Sequence, residues 1–142
     1  MKLADIIFTQ LPRMDAPGGS VMHAMKNTDD GFAGFGEAYF SWIESGAKKA
    51  WKQHTKMTMN LIVPIGNIKF VFCAIDSRGG KEFRSEIIGD CNYSRVTVPP
   101  GIWFGFQGLS TSSSLVLNLA SIPHDSSEVL RREIYDINYE WS

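Results

Sequence analysis

Turn-forming residues interrupt this chain at short, fairly even intervals, and that spacing leaves little room for helices. Clusters of Pro, Gly, Asn, Asp and Ser fall at 12–19, 27–31, 44–49, 64–67, 77–82, 89–92, 99–101, 110–113 and 123–127. Between them lie short runs rich in Val, Ile, Phe, Tyr and Trp, the pattern of a β-sandwich or a closed barrel. Only 126–134 has the spacing of a helix, with Ser126 or Ser127 as its cap. The pattern predicts one all-β domain over 1–142 with a short C-terminal appendage.

Successive side chains of a strand point to opposite faces, so each run divides into two sets. Read as one strand, 54–62 carries His54, Lys56, Thr58 and Asn60 on one face and Met57, Met59 and Leu61 on the other. Over 36–43, Glu37, Tyr39 and Ser41 oppose Ala38, Phe40 and Trp42; over 114–120, Ser114, Val116 and Asn118 oppose Leu115, Leu117 and Leu119. A polar face of this kind meets either bulk water or a lined cavity, and alternation alone does not choose between them.

The 142 residues suffice for one core, and 44% hydrophobic with 20% charged residues is ordinary globular composition. No apolar run is long enough to span a bilayer, and the N-terminal stretch has no secretory cleavage pattern, so no membrane partner and a cytoplasmic location are expected. A net charge of −1 without a basic, aromatic-interleaved face argues against nucleic acid. Cys73 and Cys91 lack metal or redox spacing and read as reduced thiols.

Two blocks carry a resemblance. His54-Thr-Lys56-Met-Thr-Met-Asn60 followed by Val98-Pro-Pro-Gly-Ile-Trp-Phe104-Gly-Phe106 is similar to the paired motifs of the cupins, in the form used by nucleotide-4-keto-sugar epimerases and isomerases. Asp29-Asp30-Gly31-Phe32 ahead of Glu37 resembles the opening motif of the dTDP-4-dehydrorhamnose 3,5-epimerases, without its Arg. The segment from Gly66 to Asp76-Ser77-Arg78 resembles their central strand, and Pro99-Pro100-Gly101-Ile102-Trp103 resembles a block of the dTDP-sugar 3,4-ketoisomerases. The resemblance implies a cupin-type double-stranded β-helix, a jelly-roll barrel. Metal-binding cupins place ligands at the positions held here by His54, Lys56, Asn60 and Phe104. One imidazole cannot hold a transition metal, so no metal and no other cofactor is expected.

The resemblance also implies roles. His54 matches the base that removes a proton alpha to the sugar ketone, chemistry suited to an imidazole that titrates near neutrality. Lys56 would supply positive charge to the enolate oxygen or the diphosphate. The family's proton-returning Tyr has no counterpart near Leu117 and Asn118, which makes Tyr39 the best substitute, with Tyr93, Tyr135 and Tyr139 as alternatives; Asp125 and Asp136 are candidates for the acid that orients His54. Glu37, Asn60, Arg95 and Asn118 complete the expected substrate contacts, with Arg95 offering a planar fork to the diphosphate. His54, Lys56 and Asn60 are expected to point together into the barrel.

The implied activity is isomerisation of a nucleotide-activated 4-keto-6-deoxy sugar by a 3- or 3,5-epimerase in surface-polysaccharide synthesis. A 3,4-ketoisomerase and a non-catalytic cupin that binds a sugar nucleotide or a protein are the alternatives. A homodimer is expected by analogy, with Ile6-Ile7-Phe8 as a segment that a single small barrel would cover poorly.

Overall fold

Residues that favour a pleated surface form the strands, and the turn clusters reverse the chain between them. The structure, a computed structural model, describes residues 2–141. Its strands are β1 (Ile7–Gln10), β2 (Arg13–Met14), β3 (Val21–Met22), β4 (Glu37–Ile43), β5 (Lys48–His54), β6 (Met59–Ile65), β7 (Asn67–Ile75), β8 (Lys81–Gly89), β9 (Ser94–Val98), β10 (Trp103–Gly108), β11 (Ser114–Ala120) and β12 (Val129–Arg131). Two five-stranded sheets run β1-β9-β6-β11-β4 and β12-β5-β10-β7-β8, and β2 and β3 form a separate hairpin. The chain passes back and forth between the two sheets from β4 to β11. This is the expected jelly-roll, extended by β1 on one sheet and β12 on the other.

Alternation along the strands builds the core between the sheets. Met59, Leu61 and Val63 of β6 meet Phe70 and Phe72 of β7, Val96 and Val98 of β9, and Phe104 of β10. Each such side chain contributes about 1.5–3 kcal/mol when fully buried. The outer face of the β5 sheet buries Trp51, Val71, Cys73 and Trp103 beneath Ile137 and Trp141. The outer face of the β9–β6–β11 region buries Leu11, Ile62 and Tyr93.

Three expectations change. First, 54–62 is not one strand: β5 ends at His54, residues 55–58 cross over, and β6 starts at Met59 in the opposite sheet. Met59, Leu61 and Val63 take the interior, so Asn60 faces outward; its amide donates to the Gly31 carbonyl at 3.0 Å. Gly31 sits there at φ +90°, and a Cβ would lie 2.5 Å from Thr97 Oγ1, so only glycine fits. Second, 126–134 forms no helix. Asp125, rather than a serine, accepts from the Ser127 N–H at 3.0 Å and caps a single 3₁₀ turn, after which β12 pairs with the edge of β5. The tertiary ladder outweighs the local helical spacing. Third, β1 pairs with β9 and Ile6 is buried, so most of the N-terminal apolar segment is covered within one chain; Ile7 alone of the three is exposed.

Both cysteines are free thiols, Cys73 buried and Cys91 exposed.

Candidate active site

Because β5 ends at the crossover, its last residue stands at the mouth between the sheets. His54 is buried, with Nδ1 2.6 Å from Glu128 Oε2. The other carboxylate oxygen accepts from the backbone N–H groups of Lys56 at 3.1 Å and Met57 at 2.9 Å. Burial pushes the Glu128 pKa up, but the bonds from His54, Met57 and Lys56 outweigh it and hold the group below the usual carboxylate range. Glu128 is therefore an anion, Nδ1–H donates to it, and the Nε2 lone pair is left free. That nitrogen is buried and has no hydrogen-bond partner among the described residues.

Burial pushes the His54 pKa down; bonding and charge from Glu128 oppose this, and Lys52 and Arg131 reinforce it. The ring is thus neutral at pH 7. Phe104 stacks on it with centroids 6.1 Å apart. At this position the sequence differs from cupins that carry a further His, and an apolar face packs the base instead.

His54 opens onto a cavity of about 320 Å³ lined also by Glu37, Tyr39, Lys52, His124 and Arg131. Tyr39, Lys52 and Arg131 also line a larger cavity of about 770 Å³. The smaller cavity's two walls come from different sheets: β4 supplies Glu37 and Tyr39, while β5 and β12 supply His54, Lys52 and Arg131. Burial, then the charge of Glu37, raises the Tyr39 pKa against a smaller opposing effect of Arg131, so the phenol keeps its proton at neutral pH. Asn118 stands opposite Tyr39 on β11 and donates to Ser41 Oγ at 2.9 Å and to the Tyr39 carbonyl at 3.2 Å.

The cleft is cationic. Lys52 and Arg131 are cross-strand partners. Burial first, then the neighbouring Arg131, pushes the Lys52 pKa down, with Glu128 opposing and Lys49 adding. Lys52 Nζ lies 5.6 Å from the Phe104 ring centroid. Lys48, Lys49 and Arg132 continue the basic lining along the larger cavity, with Glu133 and Asp136 at its far side. Such a row suits a multiply charged anion.

Of the residues singled out by sequence, His54, Tyr39 and Glu37 meet in the smaller cavity, and Asn118 lines the larger one. Lys56 does not join them: it is exposed in the crossover, and its backbone rather than its amine serves the site. Asn60 and Arg95 lie on the other side of their sheet. Arg95 is fully buried and donates to the Ala24 carbonyl at 2.6 Å and to Asp29 at 3.3 Å, which pins the 24–30 segment. Asp125 and Asp136 are spent as caps of short turns, so neither orients His54; Glu128 does. Sequence reasoning missed Glu128, Lys52 and Arg131. Lys52 was visible as the residue two before His54 on the same strand face, whereas Asp-Ser-Ser-Glu at 125–128 reads as a helix start and conceals the acid.

No protein-family model matches the chain, and no curated protein matches it. Solved structures do. A dTDP sugar isomerase from Desulfovibrio desulfuricans is 30% identical, with a TM-score of 0.89, over 96% of this chain and 90% of that one. A sugar 3,4-ketoisomerase from Thermoanaerobacterium thermosaccharolyticum, in complex with TDP, is 17% identical with a TM-score of 0.76 over 95% and 92%. The dTDP-4-dehydrorhamnose 3,5-epimerase of Bacillus anthracis, with TDP and pyrophosphate bound, is 15% identical with a TM-score of 0.81 over 95% and 82%. The last two share the fold. The first extends the likeness to sequence along nearly the whole of both chains, and on that ground this chain belongs to the dTDP-sugar isomerase family of cupins.

Proposed function

We propose that the protein isomerises a nucleotide-activated 4-keto-6-deoxy sugar, with His54 as the base. The observation that carries this reading is the Glu128-oriented imidazole of a residue lining the smaller cavity, its Nε2 buried and unpartnered among the described residues. A histidine kept only for packing would not leave a desolvated lone pair unpaired, because such a group costs stability.

Nε2 takes the proton from the carbon alpha to the ketone, and the C–H electrons move to make a C=C bond and an enolate oxygen. Lys52, not Lys56, stands where positive charge serves that oxygen. Return of a proton to the same carbon from the Tyr39 hydroxyl, on the opposite wall, inverts the centre and gives 3-epimerisation, or 3,5-epimerisation if repeated at the second carbon. Return by His54 to the former carbonyl carbon, with the O–H proton passed between neighbouring oxygens, gives a 3,4-ketoisomerase; the Desulfovibrio relative's description as a dTDP sugar isomerase admits either outcome. The tyrosine across the cavity favours epimerisation. Arg131 and Lys49 serve the diphosphate, and the larger cavity has the volume of a ligand site. Glu37 and Asn118 complete the sugar's surroundings.

We also assign the chain to the cytoplasm, where nucleotide sugars for surface polysaccharides are made, and read it as a homodimer. On the outer face of β4, the free edge of its sheet, Phe40 and Trp42 are 63% and 59% exposed. Trp42, Leu115 and Ile65 form one row across β4, β11 and β6. A second copy of the same patch would cover it.

The test is NMR of dTDP-4-keto-6-deoxyglucose incubated with the protein in deuterated water. Deuterium entry with inversion supports the epimerase, and a 3-keto product, with a new hydrogen on the former ketone carbon, supports the ketoisomerase. TDP binding without exchange would leave a non-catalytic cupin.

A further inference from the structure

The residues after β12 do two things at once. Glu133, Ile134 and Asp136 line the larger cavity, while Ile137, Tyr139 and Trp141 lie on the outer face of the β5 sheet. Trp51 joins the two parts. Its indole N–H is shared between the carbonyls of Ile134 at 3.1 Å and Ile137 at 3.2 Å, and its ring packs against Trp141 and Tyr139 with centroids 5.5 Å and 6.4 Å away. Its backbone exchanges hydrogen bonds with Arg132 at 2.9 Å and 3.0 Å. Tyr139 is held in turn by Phe83 at 5.2 Å and by Lys69 Nζ, 5.1 Å from its ring. Arg132 is drawn outward, its guanidinium 4.8 Å from the Trp103 ring centroid.

Trp51 itself lines the larger cavity, and its packing against Tyr139 and Trp141, which do not line it, fixes that wall. The wall itself contains only one short 3₁₀ turn, Ile134–Asp136, and an isolated turn of that length has little stability of its own. We infer that Trp51 is a positioning residue for the nucleotide end of the substrate: it holds the 132–141 strap in the place where that strap completes the larger cavity. The inference rests on the nucleotide-sugar reading. It separates the two halves of the site, since His54 lines the smaller cavity and Trp51 the larger one.

The experiment compares TDP affinity by calorimetry, steady-state kinetics on the 4-keto sugar nucleotide and amide hydrogen exchange in the full-length protein. Trp51→Phe keeps the ring and removes the shared N–H. TDP affinity and KM should each weaken about tenfold, the scale of one or two lost hydrogen bonds. The kcat should stay within about twofold and the pH profile unchanged, the pattern of lost uniform binding, with faster exchange across 134–141. Tyr139→Ala, which lies outside the cavity, should weaken TDP binding in the same sense and serves if Trp51→Phe folds poorly. TDP binding unchanged in both variants, or a fall in kcat without a change in affinity, overturns the role of Trp51. A wild-type protein that binds no TDP instead overturns the nucleotide reading on which the inference stands.

Discussion

Arg131 stands opposite Lys52 across the β5–β12 ladder, and both residues line both cavities. Among the described residues, neither forms a salt bridge with a carboxylate. Two like charges at neighbouring positions repel, and a bound diphosphate removes that cost.

Arg131→Met should therefore weaken TDP affinity by about tenfold to a hundredfold, the scale of one lost charge-assisted contact. Raising salt should weaken wild-type binding and have less effect on the variant. Lys56→Met, in the exposed crossover, should leave binding and turnover within about twofold. Calorimetry at two ionic strengths checks all three; loss of binding in Lys56→Met would return the diphosphate to the crossover.

Glu128→Gln tests the dyad. Glu128 supports the protonated form of His54, so its removal should lower the His54 pKa further and leave a weaker, less well-oriented base. A fall in kcat of about 10²–10⁴-fold is expected, the range seen when an orienting carboxylate is neutralised or a general base is lost. TDP affinity should be kept. His54→Ala should fall in the same range, and the double variant should be little worse than either single one.

The acid limb of kcat/KM should lie below the ordinary histidine range. His54 works only when neutral, and burial lowers its folded-state pKa, so activity is flat through neutrality and falls only as pH drops through that depressed value. Stability carries the same sign. Between the depressed and the ordinary value the unfolded chain binds more protons than the folded one, so stability declines as pH falls through that window. On the alkaline side two groups must keep their protons: Lys52, pushed by burial below the usual lysine value, and Tyr39, raised above the usual tyrosine value, and the first to titrate sets the limb. Rate profiles and melting curves from pH 4 to 11 would check both limbs; an acid limb above the ordinary histidine value would contradict a desolvated base.

Tyr39→Phe should keep solvent exchange at the carbon next to the ketone and lose inversion there, since removal and return would then use one face. NMR in deuterated water distinguishes this from a general loss of activity. Full inversion in the variant would take the second proton away from Tyr39.

Phe40→Glu combined with Trp42→Glu should convert a dimer to a monomer in light scattering at micromolar concentration, because charges on a buried apolar face are costly. A wild-type monomer under the same conditions would dispose of the homodimer.

Much of the architecture was legible because strand periodicity and turn chemistry are local. Met59, Leu61 and Val63 announce an inward face wherever the strand is placed. The site was legible only in part. His54 and Tyr39 do line one cavity, but joining 54–62 into one strand set Lys56 and Asn60 beside His54, and the sheet-to-sheet crossover between them gives that place to Lys52. Nothing local marks residues 55–58 as a crossover: the backbone donors there are satisfied by Glu128, seventy-odd residues away, and such a partner has no periodicity to betray it. Arg95 misled for a similar reason, since a buried guanidinium holding carbonyls looks in sequence like one awaiting a phosphate.

The pairing of Val129 with His54 has a consequence for how the protein matures. During synthesis the strands from β4 to β11 emerge before β12, so His54 precedes in the chain the carboxylate that orients it. Only when the final strand docks does the carboxylate before it capture Nδ1 and select the working tautomer.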